Sequence, residues 1–118
     1  MRREDLPTRA LEIGKYFIEA LRERLGDLPV VGDIRGRGLL LGVELVKDKH
    51  SKVPMDGATV QAIVRKAFEA GVIIGRSAYT GRGLGNSITL SPPLVITRDE
   101  VDVVVKTIGD SIRATAMT

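Results

Sequence analysis

Val31-Gly-Asp-Ile-Arg-Gly-Arg-Gly-Leu-Leu-Leu-Gly-Val-Glu-Leu45 is the stretch that decides how this chain folds. Val30 to Ile34 and Gly38 to Val46 are rich in β-branched residues and leucine, and between them Arg35-Gly36-Arg37 offers a glycine where a tight reversal needs a positive φ. The spacing predicts two antiparallel strands that turn at this tripeptide. In the second strand Leu39, Leu41, Val43 and Leu45 alternate with Leu40, Gly42, Glu44 and Val46, so one face is uniformly apolar and the other mixed. The apolar face is expected to seat on helices, leaving the mixed face available to a second domain.

Upstream, Leu6, Ala10, Ile13, Phe17, Ala20, Leu21 and Leu25 recur mostly at steps of three or four, the spacing of one helical face. Gly26 is placed for the left-handed position that ends such a helix, and Pro29 keeps it from resuming. Downstream, Lys47 to Pro54 reads as a solvated connection carrying Lys47, Lys49, His50 and Lys52. Asp56 then offers a side-chain cap for a helix with Val60, Ile63, Val64, Ala67 and Phe68 on one side, closed by Gly71.

Val72-Ile73-Ile74 is expected to be a short strand, Gly75 to Gly85 a glycine-rich loop, and Ser87 to Leu90 another strand before Pro92-Pro93. Thr97-Arg-Asp-Glu100 has the spacing of a capping box, and Val101, Val104, Val105, Ile108 and Ile112 supply the buried stripe of a last helix that frays from Arg113. The expected fold is a single α+β domain over residues 1–118, a two-layer sandwich. Its small, mostly antiparallel sheet has about four strands and carries three helices, in the order α-β-β-α-β-β-α.

Composition narrows function by exclusion. The chain has no cysteine and one histidine, His50, which rules out disulfides, thiolate nucleophiles and multi-histidine metal sites. Basic and acidic residues number 18 and 15 and are interleaved, while aromatics are 3% of the chain, so neither a phosphate-tracking stripe nor a base-stacking platform is present. Nucleic acid is therefore not an expected partner. No apolar run approaches the roughly 18 residues of a membrane span, and the start, Met1-Arg-Arg-Glu-Asp5, lacks a signal peptide's apolar segment, so the expected setting is cytoplasmic. With so few aromatics the core must be aliphatic, with Tyr16, Phe17 and Phe68 as its few large pieces.

No catalytic constellation assembles from these residues. Gly36, Gly38 and Gly42 lie within a hairpin rather than between a strand and a helix, where a phosphate-binding fingerprint belongs, and Gly81-Arg-Gly-Leu-Gly85 lacks the Lys-Ser/Thr of a P-loop. The acids are scattered, and His50 has no expected orienting carboxylate. Arg76 and Arg82 stand apart because they fall in the loop between two expected strands. A guanidinium presents a planar fork of donors that matches a carboxylate in a bidentate way, so either arginine suits an acid substrate, although exposed arginines are common without such a role.

The opening stretch, with Asn86-Ser-Ile-Thr-Leu-Ser-Pro-Pro-Leu94, resembles the C-terminal small domain of class III aminotransferases, pyridoxal-phosphate enzymes of fold type I. Gly32, Asp33, Arg35, Gly36, Gly38, Leu39 and Glu44 match that family's pattern, as do Lys47-Asp48-Lys49, Ala70-Gly71-Val72-Ile73 and Arg82-Gly-Leu-Gly-Asn86. The resemblance runs roughly from Leu11 to Ile112. Val53-Pro-Met-Asp56 departs from the usual Pro-Phe-Asp, and Gly75 to Gly81 is longer than the usual family loop, which leaves both arginines in play.

The resemblance implies that Arg82, with Arg76 as second candidate, pairs with the substrate carboxylate. It implies transamination between an amino acid or amine and a keto acid in the complete enzyme, with pyridoxal phosphate held by a separate large domain. A domain cut from such an enzyme should expose an apolar patch where its partner packed, so a homo-oligomer is expected. None of Lys15, Lys47, Lys49, Lys52, Lys66 and Lys106 sits in the family's cofactor-lysine context. This chain by itself is thus expected to hold no cofactor and no catalytic residue. A stand-alone carboxylate-binding or protein-interaction module with the same lobe is the alternative, and a structural domain of unrelated origin a third.

Overall fold

A computed structural model describes residues 5–37, 40–48, 50, 53–76, 86–90 and 96–117. It contains α1 (Asp5–Leu25), β1 (Val31–Arg37), β2 (Leu40–Leu45), α2 (Gly57–Glu69), β3 (Gly75–Arg76), β4 (Ser87–Leu90) and α3 (Arg98–Ala116). The α+β reading and its element order hold. The strands form one antiparallel sheet in the order β1-β2-β4-β3.

Leu41, Val43 and Leu45 of β2 are buried, as the alternation requires, together with Ile88 and Leu90 of β4 and Val31 and Ile34 of β1. They share a single aliphatic core with Phe17, Leu21 and Leu25 of α1, Val60, Ile63 and Ala67 of α2, and Val101, Val105, Ile108 and Ile112 of α3. Val31 and Ile34 are three apart, which strict alternation forbids. A bulge resolves this, because Val31 pairs with Leu45 and Asp33 with Glu44, leaving Gly32 as the extra residue. Asp33, Arg35, Gly42, Glu44, Ser87 and Thr89 occupy the opposite, polar face.

Three helix boundaries have a clear local chemical cause. Asp56 caps α2 by accepting from the Thr59 amide at 3.0 Å. Thr97 and Glu100 form the reciprocal capping box at the start of α3, at 3.2 and 3.0 Å. At the far end of α2, Gly71 has φ 94°, its amide bonds to the Phe68 carbonyl and the Val72 amide to the Ala67 carbonyl. This is the Schellman closure, which needs a residue free of the left-handed penalty.

Several expectations are corrected. Arg35-Gly36-Arg37 is strand rather than turn, since Gly36 pairs with Leu41 and Arg37 with Leu40, while Gly38 and Leu39 lie outside the described residues. Gly26 does not take a positive φ, since Gly71 is the one glycine that does so among the described residues. Its amide continues the helical pattern to the Arg22 carbonyl at 2.9 Å, and a Cβ there would collide with that same oxygen.

Val72-Ile73-Ile74 forms no ladder. The Val72 amide is consumed by the helix closure, and pairing with β4 begins at Gly75. Phe68 lies on the flank of α2 and is 62% exposed, so Phe17 is the fully buried aromatic. The last helix continues through Arg113 to Ala116 instead of fraying there. The expected Pro92-Pro93 ending of β4, the side chains of Leu6 and Ala10, and Lys49 and Lys52 lie outside the described residues.

Candidate functional site

The two arginines singled out by chemistry fare differently. Arg82 lies outside the described residues. Arg76 sits on the edge strand β3, in the row of Ile88, Val43 and Ile34, which is the helix side of the sheet. Its guanidinium reaches the first turns of α2: Nη1 is 3.5 Å from Gln61 Oε1, and Nη2 lies so close over Gly57 that a Cβ there would meet it at 2.8 Å. Glycine at the first position of α2 thus leaves room for this arginine, whose side chain remains exposed.

The same helix start holds Asp56, whose carboxylate accepts from the Thr59 hydroxyl as well as from its amide. These hydrogen bonds favour the charged form and lower the Asp56 pKa, with the Thr59 hydroxyl the largest cause and Lys47 a minor one. Between α1 and α3, Tyr16 donates to Asp102 at 2.7 Å, and the Arg98 guanidinium carbon lies 5.2 Å from its ring centre. The bond to Asp102 raises the tyrosine pKa first, and partial burial adds to it. This contact ties α1 to α3.

Sequence reasoning missed Asn86 as more than a motif letter. It is 3% exposed, its side-chain amide donates to the Leu45 carbonyl at 2.8 Å, and its own carbonyl accepts from the Leu45 amide at 2.9 Å. The signal available was an amide side chain where the chain enters a predicted strand; its partner, 41 positions away, was not visible.

A cavity of about 620 Å³ opens beside the β1 bulge, lined by Arg22, Gly26, Gly32, Asp33 and Glu44 among others. Its two carboxylates share Arg35, whose Nε is 3.0 Å from Asp33 and whose Nη2 is 3.9 Å from Glu44. Nothing there pairs a nucleophile with a base. Among the described residues no group of His, Cys, Asp and Glu could hold a metal ion, and no helix is long and apolar enough to cross a membrane.

Comparison with known proteins gives this arrangement a lineage. The family model for class III aminotransferases matches residues 1–112. The chain belongs to the class III aminotransferases. It is 42% identical over 114 residues to the uncharacterized aminotransferase YhxA of Bacillus subtilis, covering 94% of this chain and 24% of that protein. A taurine–pyruvate aminotransferase of Bilophila wadsworthia is 37% identical over 103 residues, 87% of this chain and 23% of its own length.

Among solved structures, a Bacillus anthracis aminotransferase superposes with a TM-score of 0.88 at 42% identity over 94% of this chain and 25% of its own. An amine transaminase from an uncultivated Pseudomonas species, solved in its PLP-bound form, gives 0.81 at 35% identity over 95% and 24%. This chain therefore spans about a quarter of the length of these class III relatives.

The family implies pyridoxal phosphate, and the described residues do not fit it. Lys15, Lys47, Lys66 and Lys106 are all exposed. The cavity beside the β1 bulge places the carboxylates of Asp33 and Glu44 alongside Arg22, and no lysine lines it among the described residues.

Proposed function

We infer that this class III chain is the C-terminal, substrate-facing domain of an aminotransferase that moves an amino group from an amino acid or amine to a keto acid. Its partner in this reading is a large domain that binds pyridoxal phosphate, and the complete enzyme is a homo-oligomer. The observation that carries the reading is the superposition on whole aminotransferases over nearly all of this chain but only a quarter of theirs. Pyridoxal phosphate, bound by the large domain, supplies the electron sink for the exchange. The part left to this chain is to bind and orient the substrate.

Arg82 is the residue we assign to that task, with Arg76 second because its guanidinium already lies against α2. In the complete enzyme Arg82→Ala should raise KM for carboxylate-bearing donors far more than for simple amines, since a charge-assisted contact is worth about 1.5 to 3 kcal/mol. Steady-state kinetics on a matched pair of donors checks this. Equal losses on both would make Arg82 structural, and a selective loss in Arg76→Ala instead would move the role there.

A further inference from the structure

β1 lies at one edge of the sheet, and the direction of its backbone groups follows from the bonds of its neighbour. The Leu45 amide bonds to the Asn86 carbonyl, toward β4, while the Val46 amide bonds to the Val30 carbonyl on the β1 side. Backbone groups alternate between the two sides of a strand, so Val43 and Leu41 point to β4 as Leu45 does. Ile34 and Gly36 stand opposite Val43 and Leu41, and they therefore aim their N–H and C=O groups away from β2, at the open edge.

An edge of this kind is a template for pairing with another chain. At Ile34, however, both backbone groups are taken by side chains. The amide donates to Asp33 Oδ1 at 2.9 Å, and the carbonyl accepts from Arg22 Nη2 at 3.4 Å. Arg35 Nε holds the other oxygen of Asp33 at 3.0 Å, which keeps the carboxylate against the strand. Arg22 comes from the last turn of α1, so two separate elements converge on the backbone of one residue. Both covering side chains belong to exposed residues outside the aliphatic core. The cavity beside the β1 bulge is lined by Ile34 as well as by Arg22 and Asp33, so there is room along this part of the edge.

The sequence around Ile34 is also complementary to itself. If β1 is laid antiparallel on β1 of a second copy about Ile34, the two isoleucines exchange both backbone bonds, and Asp33 of each copy stands opposite Arg35 of the other. We propose that the β1 edge is a latent pairing surface for β1 of a second copy of this chain, held closed by Arg22 and Asp33. The acid-apolar-base order of residues 33–35 selects that occupant, because antiparallel self-pairing sets unlike charges opposite each other. On opening, the two side-chain bonds at Ile34 give way to two backbone bonds across the interface, and Asp33 passes from the Arg35 of its own strand to that of the second copy. This surface goes beyond the substrate-binding reading above and does not depend on it.

The test follows self-association of the 118-residue chain by sedimentation velocity. Arg22→Ala combined with Asp33→Ala should tighten self-association at least about tenfold over the unsubstituted chain, because both backbone groups of Ile34 are then uncovered. Adding Gly36→Pro should abolish the gain. The N–H at 36 points to the edge, so the bonds to β2 are kept while the proline ring blocks an approaching strand. Hydrogen exchange should show protection of peptides within 31–37 that rises with concentration in the double variant and not in the unsubstituted chain. No gain in the double variant, a gain that survives Gly36→Pro, or exchange in 31–37 that ignores concentration overturns the proposal.

Should the double variant fail to unfold cooperatively, two single variants decide. Asp33→Ala uncovers the Ile34 amide and should associate more tightly than the unsubstituted chain. Asp33→Asn keeps an acceptor oxygen for that amide and should stay at the unsubstituted level. Equal behaviour of the two, at either level, refutes closure of the edge by the Asp33 hydrogen bond.

Discussion

Ile88 and Thr89 are neighbours on β4, yet one is sealed in the aliphatic core and the other faces outward. The division extends across the sheet. Ile88 shares its row with Val43 and Ile34, all buried, while Thr89 shares its row with Gly75, Gly42 and Arg35. The first row lies in the aliphatic core that the sheet shares with the helices. The second is built from residues that are small, polar or charged, and its Arg35 is shared by Asp33 and Glu44 of the next row on the same face. Strands that alternate in this way commit one face to stability and leave the other free of that duty.

The sharpest way to break this comparison is to truncate both neighbours. Ile88→Ala should cost about 2 to 5 kcal/mol, because it empties a fully enclosed site among residues that cannot collapse onto it. Thr89→Ala should stay within about 0.5 kcal/mol, as surface changes away from special features do. Urea unfolding of the two variants gives the contrast directly. A large loss at Thr89 would mean that the outer face is covered in solution and carries stability of its own.

Much of this architecture could be read from residue spacing, and the failures have a common origin. Helical stripes and the alternation in β2 are properties of one segment, so they were legible. The β1 bulge was not, because the extra residue at Gly32 exists only relative to the partner strand, where Asp33 meets Glu44. Val72 looked like strand for the same reason: its residue type suits a sheet, but its amide is already bonded to Ala67. At the candidate site, Arg82 was suggested by guanidinium chemistry and a motif, whereas the bond from Asn86 to Leu45 depends on the two strands having met.

A smaller effect is expected at the start of α2, the helix that brings Val60, Ile63 and Ala67 onto the inner face. The Thr59 bonds hold the Asp56 pKa below its ordinary value of 3.8, so the folded state favours the charged carboxylate. Its contribution is complete above the ordinary value and is lost as pH falls through the lowered one. Asp56→Ala should therefore lower the melting temperature by a few degrees at neutral pH, and the gap should close under acid. Thermal scans of both proteins from neutral pH down to strongly acidic buffer test this. A gap that persists in strong acid would show that packing, and not the charged cap, is what the substitution removed.

The smallest change in folding stability is expected where apolar side chains lie outside the core altogether. Phe68 and Ile73, 62% and 82% exposed, flank the Gly71 closure of α2. Phe68 belongs to the apolar stripe by count, but it stands four residues beyond the half-buried Val64 and so falls on the outer flank of the face that Val60, Ile63 and Ala67 bury. An exposed aromatic contributes little to the fold of a single chain, and apolar surface of this kind marks a contact with something else. Phe68→Ser with Ile73→Ser should thus leave the unfolding free energy within about 0.5 kcal/mol while weakening self-association of the chain in sedimentation velocity. If the starting chain sediments as a monomer at every concentration, or if the double variant associates equally well, these two side chains are not part of the subunit contact in the proposed oligomer.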